Sequence, residues 1–392
     1  MGPDSGIAAG TEKESGTARR GWGRIAAFFR KETVLCVAAV LAAGSVCFVP
    51  PDSGYLAYPD YRVLALLFGL MLVVAGLQGI GLFRYLGFLF LERIRDTRQL
   101  GFLLMALCFF GSMFITNDVA LITFVPFAVM TLAMAGQTKR LIPVVVLQTI
   151  AANLGSMLTP IGNPQNLYLY TAFDLSMGEF LKDMLPLALL SFVLLAAAAA
   201  CLGRETLVPG RSERAAAPDR KKLVVYALLF LVCLACVLRL LTWPVMLTVL
   251  VLTVFFTDRK LFRQVDYFLL VTFLCFFLFI GNVGRIPAVS SMLRDLIEGR
   301  ELPAGVALSQ AISNVPAAIL LSGFTDNVRP LLYGVNIGGL GTLIASLASV
   351  ISYRLYGNGE GARKGAYLKT FTLYNAVFLA VLYAAALLLL RR

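Results

Sequence analysis

Apolar runs of roughly 20 residues, each long enough to cross a hydrocarbon core about 30 Å thick, recur along the chain from near Thr33 onward. Only 14% of the 392 residues are charged, against about 25% in a soluble globular protein. A polytopic membrane protein is the one class that fits. The net charge of +12 would suit nucleic acid if it were gathered on one face. It is instead divided among short segments between apolar runs, as the positive-inside rule produces, so no nucleic-acid partner is expected. The seven cysteines (Cys36, Cys47, Cys108, Cys201, Cys233, Cys236 and Cys275) lie in or beside apolar runs. Cys233 and Cys236 have C-x-x-C spacing but fall mid-helix without a histidine or a second pair. They read as small membrane-embedded thiols, not as a metal or redox site.

The basic residues also order the topology. Residues 1–32 form an N-terminal tail, of which 1–20 are polar and expected to be disordered. Gly21 to Lys31 is a basic, partly apolar stretch suited to a membrane surface. A cleaved signal peptide is not expected, because the first apolar segment begins only near Thr33. Arg19, Arg20, Arg24, Arg30 and Lys31 place the N-terminus in the cytoplasm, and the short loops suit an inner membrane of prokaryotic type. Span 33–50 then runs outward past the acidic loop of Asp52, Tyr55 and Asp60, and 61–82 returns. Residues 83–98, with Arg84, Glu92, Arg93, Arg95 and Arg98, read as an amphipathic helix at the cytoplasmic interface.

Two apolar arms, about 100–114 and 119–135, are joined at Thr116-Asn117-Asp118 and flanked by Arg98, Lys139 and Arg140. Basic residues at both ends predict a re-entrant hairpin over 99–135 entering from the cytoplasmic side. Residues 141–170 cross outward with an interruption near Gly155–Asn166, and 184–202 cross back, closing a first repeat over 33–202. Residues 203–240 supply a basic cytoplasmic loop (203–222) and a linking span. The second repeat, 241–392, runs in mirror orientation. It holds spans at 241–256 and 267–284, an amphipathic segment at 289–300 and a hairpin over 303–324 from the outer side. A broken span (330–353) and a last span (366–390) complete it. The expected fold is all-α, with about nine full spans and two hairpins in two inverted repeats, an arrangement used by secondary transporters.

The repeat is also written in the residues. Ser112-x-x-Ile115-Thr116-Asn117-x-x-Ala120 matches Ser309-x-x-Ile312-Ser313-Asn314-x-x-Ala317. Asn153-Leu154-Gly155-x-x-x-Thr159-x-Ile161-Gly162-Asn163 matches Asn336-Ile337-Gly338-x-x-x-Thr342-x-Ile344-Ala345-Ser346 in the same order. Thr116-Asn117-Asp118 and Ser313-Asn314 are polar clusters inside apolar stretches, with Pro316 just beyond the second. Gly155, Pro160, Gly162 and Pro164 break the following crossing in the first half, and Gly334, Gly338, Gly339 and Gly341 do so in the second. Interrupted helices survive in a membrane only against protein or a wet cavity. Their stubs expose N–H groups that suit an anion and carbonyls that suit a cation. Close helix packing accounts for much of Gly338-Gly339-x-Gly341, but not for two clusters of Asn, Thr or Ser and breakers at matching places.

Asp118 stands apart as an acid deep in an apolar segment. Placing Asp at a helix centre costs roughly 2.5–3.5 kcal/mol, which argues for a bound cation or a titrating proton carrier. The alternative is that it caps the second hairpin arm from a wet cavity. The chain has no histidine, so a proton relay would use carboxylates.

The segments SMFITNDVALITFVPF, ANLGSMLTPIGNPQN, QAISNVPAAILLSGF and GVNIGGLGTLIAS together resemble the ion transporter superfamily, over roughly 60–390. That group includes divalent-anion/sodium symporters, citrate transporters, arsenite efflux permeases and some sodium/proton antiporters. The resemblance implies a scaffold domain, a transport domain with hairpins entering from opposite sides, and elevator-type alternating access. Homodimers are common there, though not universal, so a second copy of the chain is a possible partner beside membrane lipid and a small anion. In the sodium-coupled carboxylate members each hairpin tip carries Ser-Asn-Thr. Carried over, Ser112 and Asn117 with backbone near Gly162 resemble one sodium site. Ser309 and Asn314 with backbone near Ala345 resemble a second. Substrate would lie between them, against Thr116, Asn117, Asn163, Pro164, Ser313, Asn314 and Ser346. Hydroxyl, amide and carbonyl oxygens suit so hard a cation.

The chain departs from that pattern at the third tip position, which holds Asp118 in one half and Val315 in the other. Two hydroxyl donors to a carboxylate are lost and a negative charge is added. Like charges about 4 Å apart repel by about 4 kcal/mol at an effective dielectric near 20, which disfavours a multivalent anion unless Asp118 is protonated or holds a cation. An Asp after the hairpin Asn resembles the arsenite permease branch, whereas Asn163-Pro164-Gln165-Asn166 resembles the carboxylate branch. The expectation is a transporter of a small carboxylate such as citrate, coupled to Na+ or H+. The rival is proton-linked arsenite efflux or sodium/proton exchange through Asp118. No cofactor is implied. An integral-membrane enzyme finds no support in a Cys/His pair, a zinc motif or clustered loop carboxylates, and a passive channel fits paired hairpins less well.

Overall fold

A computed structural model describes residues 32–91, 94–134, 136–206, 216–359 and 361–391. The tail to Lys31, Glu92 and Arg93, and Arg211 and Arg214 of the basic loop lie outside the described residues. Every regular element among the described residues is helical. The first half holds α1 (Thr33–Val46), α2 (Tyr61–Gly79), α3 (Leu82–Leu91), α4 (Thr97–Ile115), α5 (Asn117–Met134), α6 (Thr138–Ser156), α7 (Pro164–Ala172) and α8 (Met177–Ala200). A linking helix α9 (Arg220–Val237) follows. The second half holds α10 (Trp243–Thr257), α11 (Tyr267–Gly284), α12 (Pro287–Ile297), α13 (Glu301–Ile312), α14 (Asn314–Ser322), α15 (Val328–Ile337), α16 (Leu347–Gly357) and α17 (Lys364–Leu390). Short 3-10 turns at 160–162 and 343–345 separate α6 from α7 and α15 from α16.

The chain spends many of its scarce acids on helix starts, where the first N–H groups lack partners. Asp60 accepts from the Val63 N–H, Asp96 from the Gln99 N–H, Asp219 from Lys221 and Asp266 from Leu269. Ser176 and Glu179 cap α8 reciprocally. By length and composition five described helices can cross a membrane alone: α2, α4, α8, α11 and α17. The first hairpin arm α4 is among them.

The first hairpin is α4 and α5, and both its ends sit at one end of the molecule. There Glu205 takes Arg140 at 3.0 Å, its N–H reaches the Thr97 hydroxyl at 3.1 Å, and Arg98 bonds the Leu202 carbonyl at 3.1 Å. That cluster adjoins the last turn of α8. The second hairpin is α13 and α14, closed at its base by Glu301. Its Oε1 accepts from Thr325 Oγ1 at 2.9 Å and from the Gly299 N–H at 3.3 Å. This base adjoins the start of α15, where Arg329 meets Asp183 of α8 at 3.2 Å and Tyr333 bonds the Asp183 carbonyl at 2.9 Å. Asp183 lies in the second turn of α8. The 24 residues of that helix span about 36 Å, so the two hairpins are anchored toward opposite ends of it.

The halves interlock by exchange. Within each half the first hairpin arm lies along the helix before the break, α4 on α6 and α13 on α15. Across the halves, the second arm α5 lies against α16 and the second arm α14 against α7. Outside this core, α1 packs on α11 and α10 on α2. The pre-break helices are the most enclosed: α6 is buried from Val144 to Ser156 and α15 from Leu331 to Ile337. By contrast only 22% of the most apolar window of α17 is buried, and its outward surface is still apolar, as lipid contact requires.

Candidate functional site

Each hairpin turns on one residue with a positive φ. Thr116 has φ +69° and ψ 152°, and Ser313 has φ +76° and ψ 154°. This is backbone that glycine alone adopts freely, and costs of order 1–3 kcal/mol. Two different side chains hold the same strained geometry at matched positions, immediately before Asn117 and Asn314.

Asn153, near the end of α6, gathers the first tip. Its Oδ1 accepts from Asn117 Nδ2 at 3.0 Å and from Ser346 Oγ at 2.8 Å, and its Nδ2 reaches Ser349 Oγ at 3.5 Å. Asn336, near the end of α15, does the same in reverse. Its Oδ1 accepts from Asn163 Nδ2 at 3.3 Å, and its Nδ2 donates to Asn166 Oδ1 at 2.7 Å. Asn163 and Asn166 stand at the start of α7; Ser346 and Ser349 stand at the start of α16, at the same spacing. Each pre-break helix of one half thus holds the post-break helix of the other. Asn163 Oδ1 also caps α7 through the Asn166 N–H at 2.9 Å.

The matched serines and glycines meet as well. Gly155 and Gly338 allow the hairpin arms to approach: a Cβ on Gly155 would strike the Phe109 carbonyl and stand 2.7 Å from Ser112 Oγ, and one on Gly338 would stand 2.8 Å from Ser309 Oγ. Asn314 lies against Gly339, where a Cβ would be 2.9 Å from its Nδ2. Thr159 Oγ1 donates to the Met113 carbonyl, and its counterpart Thr342 Oγ1 donates to the Gln310 carbonyl at 3.4 Å.

These contacts locate every residue expected from the sequence. Asn117, Ser346 and Asn163 enter the Asn153 and Asn336 networks directly. Ser313 Oγ reaches the Ala345 carbonyl and Asn314 Oδ1, each at 3.4 Å. Ser112 and Ser309 donate to the Phe109 and Gly305 carbonyls and lie beside Gly155 and Gly338. The backbone of Gly162 folds onto Ser156. Pro164 starts α7 and is half-buried. Thr116 and Asp118 are half-buried at the tip, and Asp118 Oδ1 is a buried oxygen with no hydrogen-bond partner among the described residues. Asp118 therefore does not cap the second arm through that oxygen; Asn117 Oδ1 takes the Asp118 N–H at 3.0 Å.

Four helix N-termini meet here. Those of α5 and α16 meet at Asn153, and those of α7 and α14 at Asn336 and the adjacent Gly339. Their first-turn N–H groups and dipoles supply partial positive charge. No basic side chain among the described residues hydrogen-bonds to these groups. The pivots Asn153 and Asn336 were not among the expected site residues, although the paired motifs contain both. Glu301, a buried acid at the base of the second hairpin, was not among them either, because it stands just outside the apolar run of its hairpin.

Residues 23–330 match the family model for the citrate transporter. The chain belongs to the citrate transporter family. An uncharacterized transporter of Methanocaldococcus jannaschii is 32% identical over 331 residues, covering 83% of this chain and 89% of that protein. The inner membrane protein YbiR of Escherichia coli is 32% identical over 338 residues, covering 81% of this chain and 86% of its own length. A silicon efflux transporter of Oryza sativa is 33% identical over 138 residues, 35% of this chain and 28% of that protein. The family match makes the chain a membrane transporter by descent, and within it the matched hairpins and breaks are where the paired polar motifs converge.

Proposed function

We propose that the chain is a secondary active transporter of a small anion, a carboxylate such as citrate or a dicarboxylate, coupled to Na+ or H+. The observation that carries this reading is the meeting of four helix N-termini where no basic side chain among the described residues bonds. Such a site neutralises an anion with backbone N–H groups and leaves carbonyl ends for a cation. Thr116, Asn117, Asn163, Pro164, Ser313, Asn314 and Ser346 contact the substrate in this reading. The two halves are inverted repeats whose hairpins enter from the cytoplasmic and outer sides, and α4–α7 move with α13–α16 as an elevator. The inner membrane and a cytoplasmic N-terminus fit the basic cluster at the base of the first hairpin and the name of YbiR.

The test is charge movement in proteoliposomes after a sodium jump, with and without citrate, at acidic and alkaline pH. A current that needs both sodium and citrate is expected. A pH response indifferent to citrate would overturn the carboxylate reading. One observation favours a second reading, proton-linked efflux of an arsenite- or antimonite-like oxyacid or sodium/proton exchange: Asp118 Oδ1 is buried without a hydrogen-bond partner among the described residues. The similarity to a silicon efflux transporter points the same way. Asp118→Asn separates the two: lost coupling with residual facilitated citrate flux supports the first, and unchanged proton-driven flux removes Asp118 from any role as carrier.

A further inference from the structure

Gln165 is only 2% exposed, yet its side-chain amide makes no hydrogen bond among the described residues. Its neighbours in the first turn of α7 are accounted for. Pro164 has no N–H, and Asn166 faces the Ser156, Met157 and Thr159 carbonyls with its Nδ2 while its Oδ1 accepts from Asn336. The backbone N–H of Gln165 is open as well, because Asn163 Oδ1 takes the Asn166 N–H. A buried amide without a partner is costly and calls for a reason. The matched position in the other half is Ala348, which is buried and has nothing to donate.

The amide is carried into the site. A helical side chain leans toward the N-terminus of its helix, and Asn336 holds the start of α7 at the site through Asn163 and Asn166. One turn on from Gln165, Tyr168 meets Ser322 of α14 at 2.7 Å, so this face of α7 looks onto α14. The start of α14 shows the same lack. Asn314 is 4% exposed, and its Nδ2, against Gly339, donates to nothing among the described residues. Its counterpart Asn117 donates to Asn153 at 3.0 Å. No side chain caps α14. The first turns of two nine-residue helices, α7 and α14, therefore present amide and backbone donors that the chain does not use. The other pairing, α5 with α16, binds its asparagine within the Asn153 network and carries Asp118.

We propose that Gln165 is a specificity-determining residue: its Nε2 and backbone N–H donate to an anionic oxygen of the substrate, and its Oε1 accepts from a hydroxyl on the same molecule. The inference rests on the anion-transport reading above and narrows it to hydroxylated anions, of which citrate is one. An amide offers a donor and an acceptor side by side. A carboxylate alone uses the donor and leaves the acceptor unpaired. A site that takes a substrate hydroxyl rejects the analogue lacking it, because its own buried group is then left without a partner. Binding beside α7 and α14 also sets the anion against the pairing that lacks Asp118, whose charge would repel it.

The test is thermal unfolding of the purified full-length protein in sodium buffer, with citrate, with tricarballylate, or with neither. Tricarballylate differs from citrate only in lacking the hydroxyl. Citrate is expected to raise the wild-type unfolding temperature, and tricarballylate to need a concentration about tenfold higher for the same rise. Gln165→Met, of similar length but without the amide, is expected to unfold at the wild-type temperature without ligand, since the amide has no partner in the chain to lose. It is expected to respond to the two anions alike, at concentrations about tenfold above the wild-type need for citrate. Gln165→Glu keeps the shape but puts a charge where the donor was, and is expected to respond to neither. A Gln165→Met protein that still prefers citrate, or a Gln165→Glu protein that responds to citrate as wild type does, overturns the proposal and leaves the carboxylate reading standing. So does a wild type that responds equally to both anions. A wild type that responds to neither refutes the carboxylate reading and the proposal with it.

Discussion

Asn153 and Asn336 are each buried with every side-chain polar atom engaged, and each joins segments from both halves. Removing one strands its buried partners, and a buried unsatisfied group costs about 1–3 kcal/mol. Asn153→Ala frees Asn117, Ser346 and Ser349; Asn336→Ala frees Asn163 and Asn166. Both variants are expected to lower the unfolding temperature in detergent and to abolish coupled uptake. An Asn153→Ala protein with wild-type stability and transport would show that the amide network is incidental. The residue scale is also where the reading of the chain stopped short. The motif pairing placed Asn153 opposite Asn336 in sequence, but Ser346, Ser349, Asn163 and Asn166, the partners that join the halves, lie at a separation no local pattern encodes.

At the scale of the element, the hairpin bends and breaks are the informative parts. The apolar arms, the polar tips and the breakers were legible because hydrocarbon tolerates no unpaired backbone and forces polar residues to mark the interruptions. Over the expected hairpins at 99–135 and 303–324 the chain forms helices Thr97–Ile115 and Asn117–Met134, and Glu301–Ile312 and Asn314–Ser322. The first span ends at Val46, short of the expected 50, and the amphipathic segment ends at Leu91 before a separate cap at Asp96. What the pattern did not announce is the positive φ at Thr116 and Ser313, since neither residue type favours it. The strain yields a prediction. Thr116→Gly and Ser313→Gly relieve it and are expected to raise the unfolding temperature while reducing transport, because the tip loses both a hydroxyl and its rigidity. Thr116→Ala, which keeps the Cβ and so the strain, is expected to reduce transport without any gain in stability. A fall in stability on Gly substitution would mean that the tip is not strained.

At the scale of the whole molecule the two halves are tied outside the core as well. Where α1 meets α11, Asn282 donates to Ser45 Oγ at 2.9 Å and to the Tyr55 hydroxyl at 2.8 Å. Arg285 bonds Asp52 at 2.7 Å and Tyr58 at 3.1 Å in the loop after α1. The Arg285 guanidinium holds the Asp52 carboxyl below its usual 3.8. A lowered carboxyl pKa adds stability above the unfolded value and loses it as the pH falls through the folded value. The difference in unfolding temperature between wild type and Arg285→Ala is therefore expected to be constant near neutrality and to shrink on acidification past 3.8. A difference independent of pH would assign the effect to Tyr58 and packing. The interlock of α5 with α16 and α14 with α7 joins the two halves around the site, whereas the α1–α11 contact joins them away from it.

The amino-acid sequence by itself determined that the chain lives in a membrane, where its helices break, and that the two halves share one design. Each of these follows from the cost of leaving charge or backbone unpaired in hydrocarbon, a cost paid locally and therefore written locally. Only the tertiary structure decided which broken helix is held by which, and that Ser112 and Ser309 face Gly155 and Gly338. Those depend on pairings between residues more than 100 positions apart, such as Asn153 with Ser346 and Asn163 with Asn336. Chain crossing and close packing choose such pairings; composition and periodicity carry no record of them.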